Sequence, residues 1–239
     1  MEDERDEFWT SGVTEDFNFV KHNETDFASF REFTKDLDER YSSIEAKREH
    51  SERVAALDKW DRELPDRWKD AKLNLIKKPV VEKIIEALKS HPRGSFFFTG
   101  ASGAGKTFVA YALVRRFIGR GIATPSQIKM ISEPILLNWA TRGFKGADMI
   151  QALMDERYKL YIFDGIGTLS DSESDKVAPL WEQILDHIYS RDLIAVFTSA
   201  DSLEKLSSTL SPSGEIKLRT LVSGRDFVVE ADGSKSAKR

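Results

Sequence analysis

Apolar positions fall into three regimes along the chain. Residues 1–24 are acidic and polar, with Phe8, Trp9, Phe17 and Phe19 scattered among them without a period. Such a stretch predicts mostly disordered chain. From Asp26 the spacing becomes regular: Phe27, Phe30, Leu37, Tyr41 and Ile44 recur at intervals of three, four or seven among charged residues such as Arg31, Glu32 and Lys35. That pattern predicts a helix with one aromatic-rich stripe on a charged surface. A stripe of this kind packs on its own domain, enters a coiled coil or docks in a partner's groove, and the sequence leaves these open. Glu63-Leu64-Pro65-Asp66-Arg67-Trp68 then interrupts the helix, because Pro65 disfavours helical backbone at Leu64.

The third regime alternates. Val80 to Leu88 reads as a helix with Val81, Ile84, Ile85 and Leu88 on one face, closed by His91-Pro92-Arg93-Gly94. Five short apolar runs follow, at 95–99, 128–131, 160–163, 193–198 and 227–230. The first contains Phe96-Phe97-Phe98, a continuous apolar triplet suited to a strand buried on both faces. Helical patterns over 108–118, 136–141, 146–155 and 177–189 separate the runs. Short buried strands alternating with helices predict an α/β fold, a five-stranded parallel sheet with helices on both faces, preceded by a small helical N-terminal module.

Composition narrows the function classes. The 239 residues are 40% hydrophobic and 32% charged, enough for a sizeable core. Lys and Arg total 36 against 40 Asp and Glu, a net charge of −4 that excludes a wholly basic nucleic-acid binder but leaves room for a local patch. Residues 1–50 hold 15 acids and 7 bases, a net of −8, which leaves +4 for the remainder. An acidic head thus precedes a mildly basic body. The absence of cysteine excludes a disulfide framework, a Cys-ligated zinc site, an iron–sulfur cluster and a thiol nucleophile. No apolar run approaches the ~18 residues of a membrane span, and Met-Glu-Asp-Glu-Arg is acidic where a secretory signal is basic. A cytoplasmic protein with no membrane role is the expectation.

Gly100-Ala101-Ser102-Gly103-Ala104-Gly105-Lys106-Thr107 matches the phosphate-loop pattern G-x-x-x-x-G-K-[ST] in full. Its glycines let backbone N–H groups wrap a phosphate at the start of the next helix. Lys106 is placed to reach β- and γ-phosphates and the Thr107 hydroxyl to ligate Mg²⁺. The loop sits between a buried-type strand and an amphipathic helix, the context the pattern requires. Lys159-Leu160-Tyr161-Ile162-Phe163-Asp164 supplies an apolar strand ending in an acid, 58 residues after Lys106. Asp164 is the expected second magnesium residue. The cofactors read from these motifs are ATP and Mg²⁺. One strand lies between the two motifs in sequence, which fits P-loop ATPases whose Asp strand neighbours the loop strand.

With these motifs in place, residues 64–235 resemble the helicase-loader branch of the AAA+ ATPases, the DnaC type, and the related IstB-type transposition helpers. Leu64-Pro65-Asp66-Arg67-Trp68-Lys69-Asp70-Ala71-Lys72-Leu73 is similar to the family's lead-in segment. Phe197-Thr198-Ser199 is similar to its sensor 1 strand end, and Ile216-Lys217-Leu218-Arg219 to the segment bearing the arginine finger. The ending from Phe227 to Lys235 is similar to sensor 2. The resemblance implies catalytic roles for Asp164, Arg219 and Lys235. It implies single-stranded DNA contacts from the region between the ATP motifs, where Lys129, Arg142 and Lys145 are the cations and Trp139 and Phe144 the rings. Arg115 and Arg116 are expected on an intersubunit face.

Three departures touch hydrolysis. The second acid that follows the strand Asp in the family is Gly165 here, the sensor 1 Asn falls at Ala200, and the sensor 2 Arg becomes Lys235. Asp171, Asp175 and Asp201 are the nearby acids, each more simply a loop or helix-cap carboxylate. Glu133 also follows a strand, but one that the family's strand order puts at the sheet edge, and it is not chosen. The expected organisation is a docking module over 1–60, a linker over 61–75 and an AAA+ core over 76–239. The expected function is a slow ATPase that docks a DnaB-type replicative helicase through residues 1–60, assembles into a homo-oligomer on ATP binding and delivers the helicase to single-stranded DNA. The alternatives are a non-hydrolysing ATP switch and an IstB-type helper.

Overall fold

The computed structural model describes residues 24–207 and 210–230 and divides into two compact units, residues 1–51 and 52–239. The aromatics between Phe8 and Phe19 therefore lie outside the described residues, as does Lys235. Helix α1 runs Glu24–Glu63 without a glycine or proline and stops just before Pro65. The side chains of Phe27, Phe30, Leu37 and Tyr41 lie outside the described set, while Ile44 on the same stripe is 63% exposed.

The end of α1 belongs to the second unit. Trp60 is buried, its ring 6.1 Å from that of Tyr111, and Asp61 forms an ion pair with Arg115. Packing thus starts ahead of the expected boundary after residue 60. Arg115 thus has a partner within its own chain.

Five parallel strands form one sheet: β1 (Phe96–Thr99), β2 (Ile128–Ser132), β3 (Leu160–Ile166), β4 (Ile194–Ser199) and β5 (Asp226–Val228). Their order is β2-β3-β4-β1-β5. Helices α2 (Lys78–Ser90), α3 (Lys106–Gly119), α4 (Glu133–Ala140), α5 (Phe144–Leu153), α6 (Asp171–Ser190), α7 (Leu203–Ser207) and α8 (Pro212–Leu221) cover it. Strand alternation divides the Phe triplet between two cores. Phe96 and Phe98 join Val109, Leu113 and Phe117 of α3, whereas Phe97 joins Phe163, Phe197 and Trp181 on the other face.

The strand order corrects one expectation. β4 pairs with both β1 and β3, so the loop strand and the Asp strand are not neighbours. The consequence is chemical, because the end of β4 lies between the phosphate loop and Asp164. Helices α7 and α8 gave no clear apolar period. Ser211 caps α8 by accepting the Gly214 N–H, with Pro212 at the first helical position. Among the described residues no helix is long and apolar enough to cross a membrane.

Candidate nucleotide site

The phosphate loop leaves β1 at Gly100 and enters α3 at Lys106, with Gly105 as the N-cap. At Gly100 a Cβ would stand 2.2 Å from the Val229 carbonyl oxygen, so a side chain there would displace the chain leaving β5. Val229 is tied to the loop strand by its own N–H, which donates to the Thr99 carbonyl at 2.7 Å. The Lys106 ammonium reaches back across the loop and donates to the carbonyls of Gly100 (2.8 Å) and Ala101 (2.9 Å). Burial lowers the Lys106 pKa, and the negative charge of Asp164 acts in the opposite direction.

Two hydroxyls converge on Asp164. Thr107 Oγ1 donates to Asp164 Oδ1 at 2.8 Å, and Thr198 Oγ1 donates to the same oxygen at 2.6 Å. Thr198 also accepts the Gly165 N–H at 2.9 Å. Thr198 belongs to the Phe197-Thr198-Ser199 strand end that the sequence singled out, but its partners Asp164 and Gly165 were not foreseen. Ala200 is exposed just beyond the end of β4, whereas Thr198 is buried within the strand. A Thr-Ser pair ending an otherwise apolar strand was the available signal.

Thr107 and Asp164 offer a hydroxyl and a carboxylate on one side of the loop, and no cluster of three or more His, Cys, Asp or Glu exists among the described residues. An oxygen-only set of two protein donors fits Mg²⁺, which keeps its waters and takes further ligands from phosphates. Tyr111 on α3 senses the same charge: burial raises its pKa, Asp164 raises it further, and Arg67 opposes both. Arg67 lies over the Trp68 ring at 4.9 Å, and Trp68 packs on Tyr111 at 5.6 Å, so the lead-in segment is fastened to the loop helix.

At Gly165, where the resemblance puts a second acid, the strand is irregular. The β3–β4 register shifts between Phe163 and Ile166, and Gly165 within that bulge has φ +73°. A Cβ there would meet nothing within 4 Å, so the obstacle to a side chain is conformational strain and not space. Asp171 and Asp175 are exposed on the first turns of α6, and Asp201 is taken by Lys205 at 2.7 Å.

The remaining candidates are dispersed. Arg219 on α8 is paired with Glu215 at 2.9 Å on the exposed surface. Arg225 is buried, donating to the carbonyls of Ser95 (2.8 Å) and Leu221 (2.6 Å). Arg142 and Lys145 are exposed around the α4–α5 turn. Trp139 packs partly into the second core cluster, and the Lys129 ammonium lies 5.4 Å from the Tyr158 ring centroid. The four proposed DNA contacts are thus not one uniform free patch. The Phe144 side chain is outside the described set.

No protein-family profile and no curated protein sequence matches the chain. Solved structures do. It is similar to a primosome component from Streptococcus pyogenes serotype M3, with 18% identity, a TM-score of 0.54, and coverage of 71% of this chain and 91% of that one. It is similar to DnaI at 16% identity and a TM-score of 0.50, covering 72% and 93%. It is also similar to the replication initiator DnaA bound to AMPPCP and single-stranded DNA, at 17% identity and a TM-score of 0.53, covering 71% and 52%. The chain spans about half the length of that DnaA structure. At these identities the likeness establishes the fold alone, a five-stranded parallel sheet covered by helices.

Proposed function

We propose that this chain, built on the AAA+ fold found in DnaA, DnaI and the streptococcal primosome component, is an ATP-binding helicase loader of DNA replication. In this reading the N-terminal module docks a DnaB-type replicative helicase in the cytoplasm, ATP drives copies of the chain into a homo-oligomer, and the helicase passes to single-stranded DNA. The observation that carries the ATP assignment is the convergence of Thr107 and Thr198 on Asp164 beside a complete phosphate loop.

The loop amides and Lys106 bind the phosphates. Thr107 and Asp164 are the residues that would hold Mg²⁺, whose bound charge offsets that of the β- and γ-phosphates. Thr198 fixes the Asp164 carboxylate and the Gly165 amide together. Arg219 is the finger toward a neighbouring copy, because its exposed pair with Glu215 is worth only about 0–1 kcal/mol and is readily exchanged for a phosphate. Lys235 retains its proposed sensor 2 role, and Arg142 and Lys145 are the first choices for DNA phosphates. A second reading, a nucleotide switch with negligible turnover, is favoured by the bulged Gly165.

Co-purification with a DnaB-type helicase tests the loader reading. The full chain is expected to capture the helicase, and residues 52–239 to stay folded, bind ATP and lose it. Retention of the helicase by residues 52–239 would move the docking surface into the core.

A further inference from the structure

Glu133 is the only buried carboxylate among the described residues, at 3% exposure, although it opens α4 directly after the edge strand β2. The β2–β3 register places Ser132 opposite Asp164, which brings Glu133 beside Gly165 across the strand pair. Glu133 Oε2 accepts the Thr168 N–H at 2.8 Å and lies 3.4 Å from the Thr168 hydroxyl. That hydroxyl donates to the Gly165 carbonyl at 3.1 Å, and the Gly165 N–H donates to Thr198, which holds Asp164. A continuous line of hydrogen bonds therefore joins Glu133, Thr168, Gly165, Thr198 and Asp164.

We propose that Glu133 is a positioning residue of the nucleotide site, which pins the Gly165–Thr168 turn and through it keeps Asp164 and Thr198 aligned for Mg²⁺–ATP. The physical need is local. A left-handed glycine in a bulge has wide backbone freedom and no side chain to anchor it. Burial of a carboxylate is costly unless a donor meets it, and the donor here, the Thr168 N–H, belongs to the turn that requires fastening. Glu133 thus steadies from the neighbouring strand a position whose own residue has no side chain to do so. It acts through Thr168 and touches neither phosphate nor metal.

The proposal rests on the nucleotide-site reading and concerns its magnesium dependence. The test compares ATP affinity of the full-length protein by titration calorimetry, in Mg²⁺ and in EDTA, for wild type, Glu133→Ala, Glu133→Gln and Thr168→Ala. Glu133→Ala is expected to weaken Mg²⁺–ATP binding about 5- to 10-fold, the worth of a lost hydrogen-bonded anchor, and to leave the EDTA affinity unchanged. Glu133→Gln keeps an oxygen that accepts the Thr168 N–H and should restore wild-type affinity. Thr168→Ala retains the N–H, loses the bridge to Gly165, and should fall between them. Equal losses in Glu133→Gln and Glu133→Ala would overturn positioning in favour of a direct role for the charge. Wild-type affinity in Glu133→Ala would remove the residue from the site, as would an unchanged Thr168→Ala if Glu133→Ala fails to fold. A wild type that binds ATP indifferently to Mg²⁺ would instead overturn the metal assignment itself, and this proposal with it.

Discussion

The two walls of the nucleotide site follow different rules. On one wall, β1, the loop and α3 satisfy the phosphate pattern residue for residue, and the Lys106 ammonium is held across the loop by two carbonyls. On the other wall, the ends of β3 and β4 hold Asp164, the proposed magnesium acid, followed directly by a left-handed glycine in a bulge. On the proposed reading the phosphate-binding groups are complete, while Gly165 has no side chain with which to orient an attacking water. The difference teaches that phosphate binding and hydrolysis are separable: the first needs one contiguous loop, the second needs several strand ends in register.

The comparison breaks most severely at the binding wall. Lys106→Ala removes the cation for the β- and γ-phosphates and should weaken ATP binding by about 100-fold or more, as loss of a strong charge-assisted contact implies. Calorimetric affinity equal to wild type would mean that the loop does not bind phosphate. Thr198→Val sharpens the contrast from the other wall. It deprives Asp164 of one donor and leaves the Gly165 N–H without an acceptor, so Mg²⁺–ATP affinity should drop about 5- to 30-fold, with little change in EDTA. An unaltered magnesium dependence would detach Thr198 from the site. The smallest effect is expected for Gly165→Ala, where φ +73° costs a side chain about 1–2 kcal/mol. Thermal unfolding should reveal a lowered midpoint with ATP binding preserved. A variant as stable as wild type would show that the bulge relaxes, and would make Gly165→Glu a fair attempt to restore turnover.

The sheet and the phosphate loop were legible because both are written in neighbouring residues. The Phe96-Phe97-Phe98 run encodes a strand buried on two faces, and each Phe indeed joins the core that its alternation dictates. Spatial order was less legible. The sequence says that one strand separates the loop from Asp164 along the chain, but not that β4 enters between them in space. For that reason Thr198 was assigned to a strand end without its partner. Arg219 and Arg225 illustrate the same limit. Both are arginines six residues apart, yet one is on an exposed helix face and the other is sealed against Ser95 and Leu221. Burial decided their roles, and no local pattern announced it. Glu133 was passed over because its strand was placed at the sheet edge, where β2 does lie, yet the side chain is buried.

The central claim is that this is an intact ATP-binding site with an impaired hydrolytic wall. Steady-state turnover of the full-length protein at saturating Mg²⁺–ATP, set beside its measured affinity, tests that claim most directly. Firm binding is expected, with turnover far below the ~1 s⁻¹ lower end of typical enzymes. Brisk turnover that survives Gly165→Ala but collapses on substitution of Asp171, Asp175 or Asp201 would contradict it, placing the base elsewhere and making the protein a working motor.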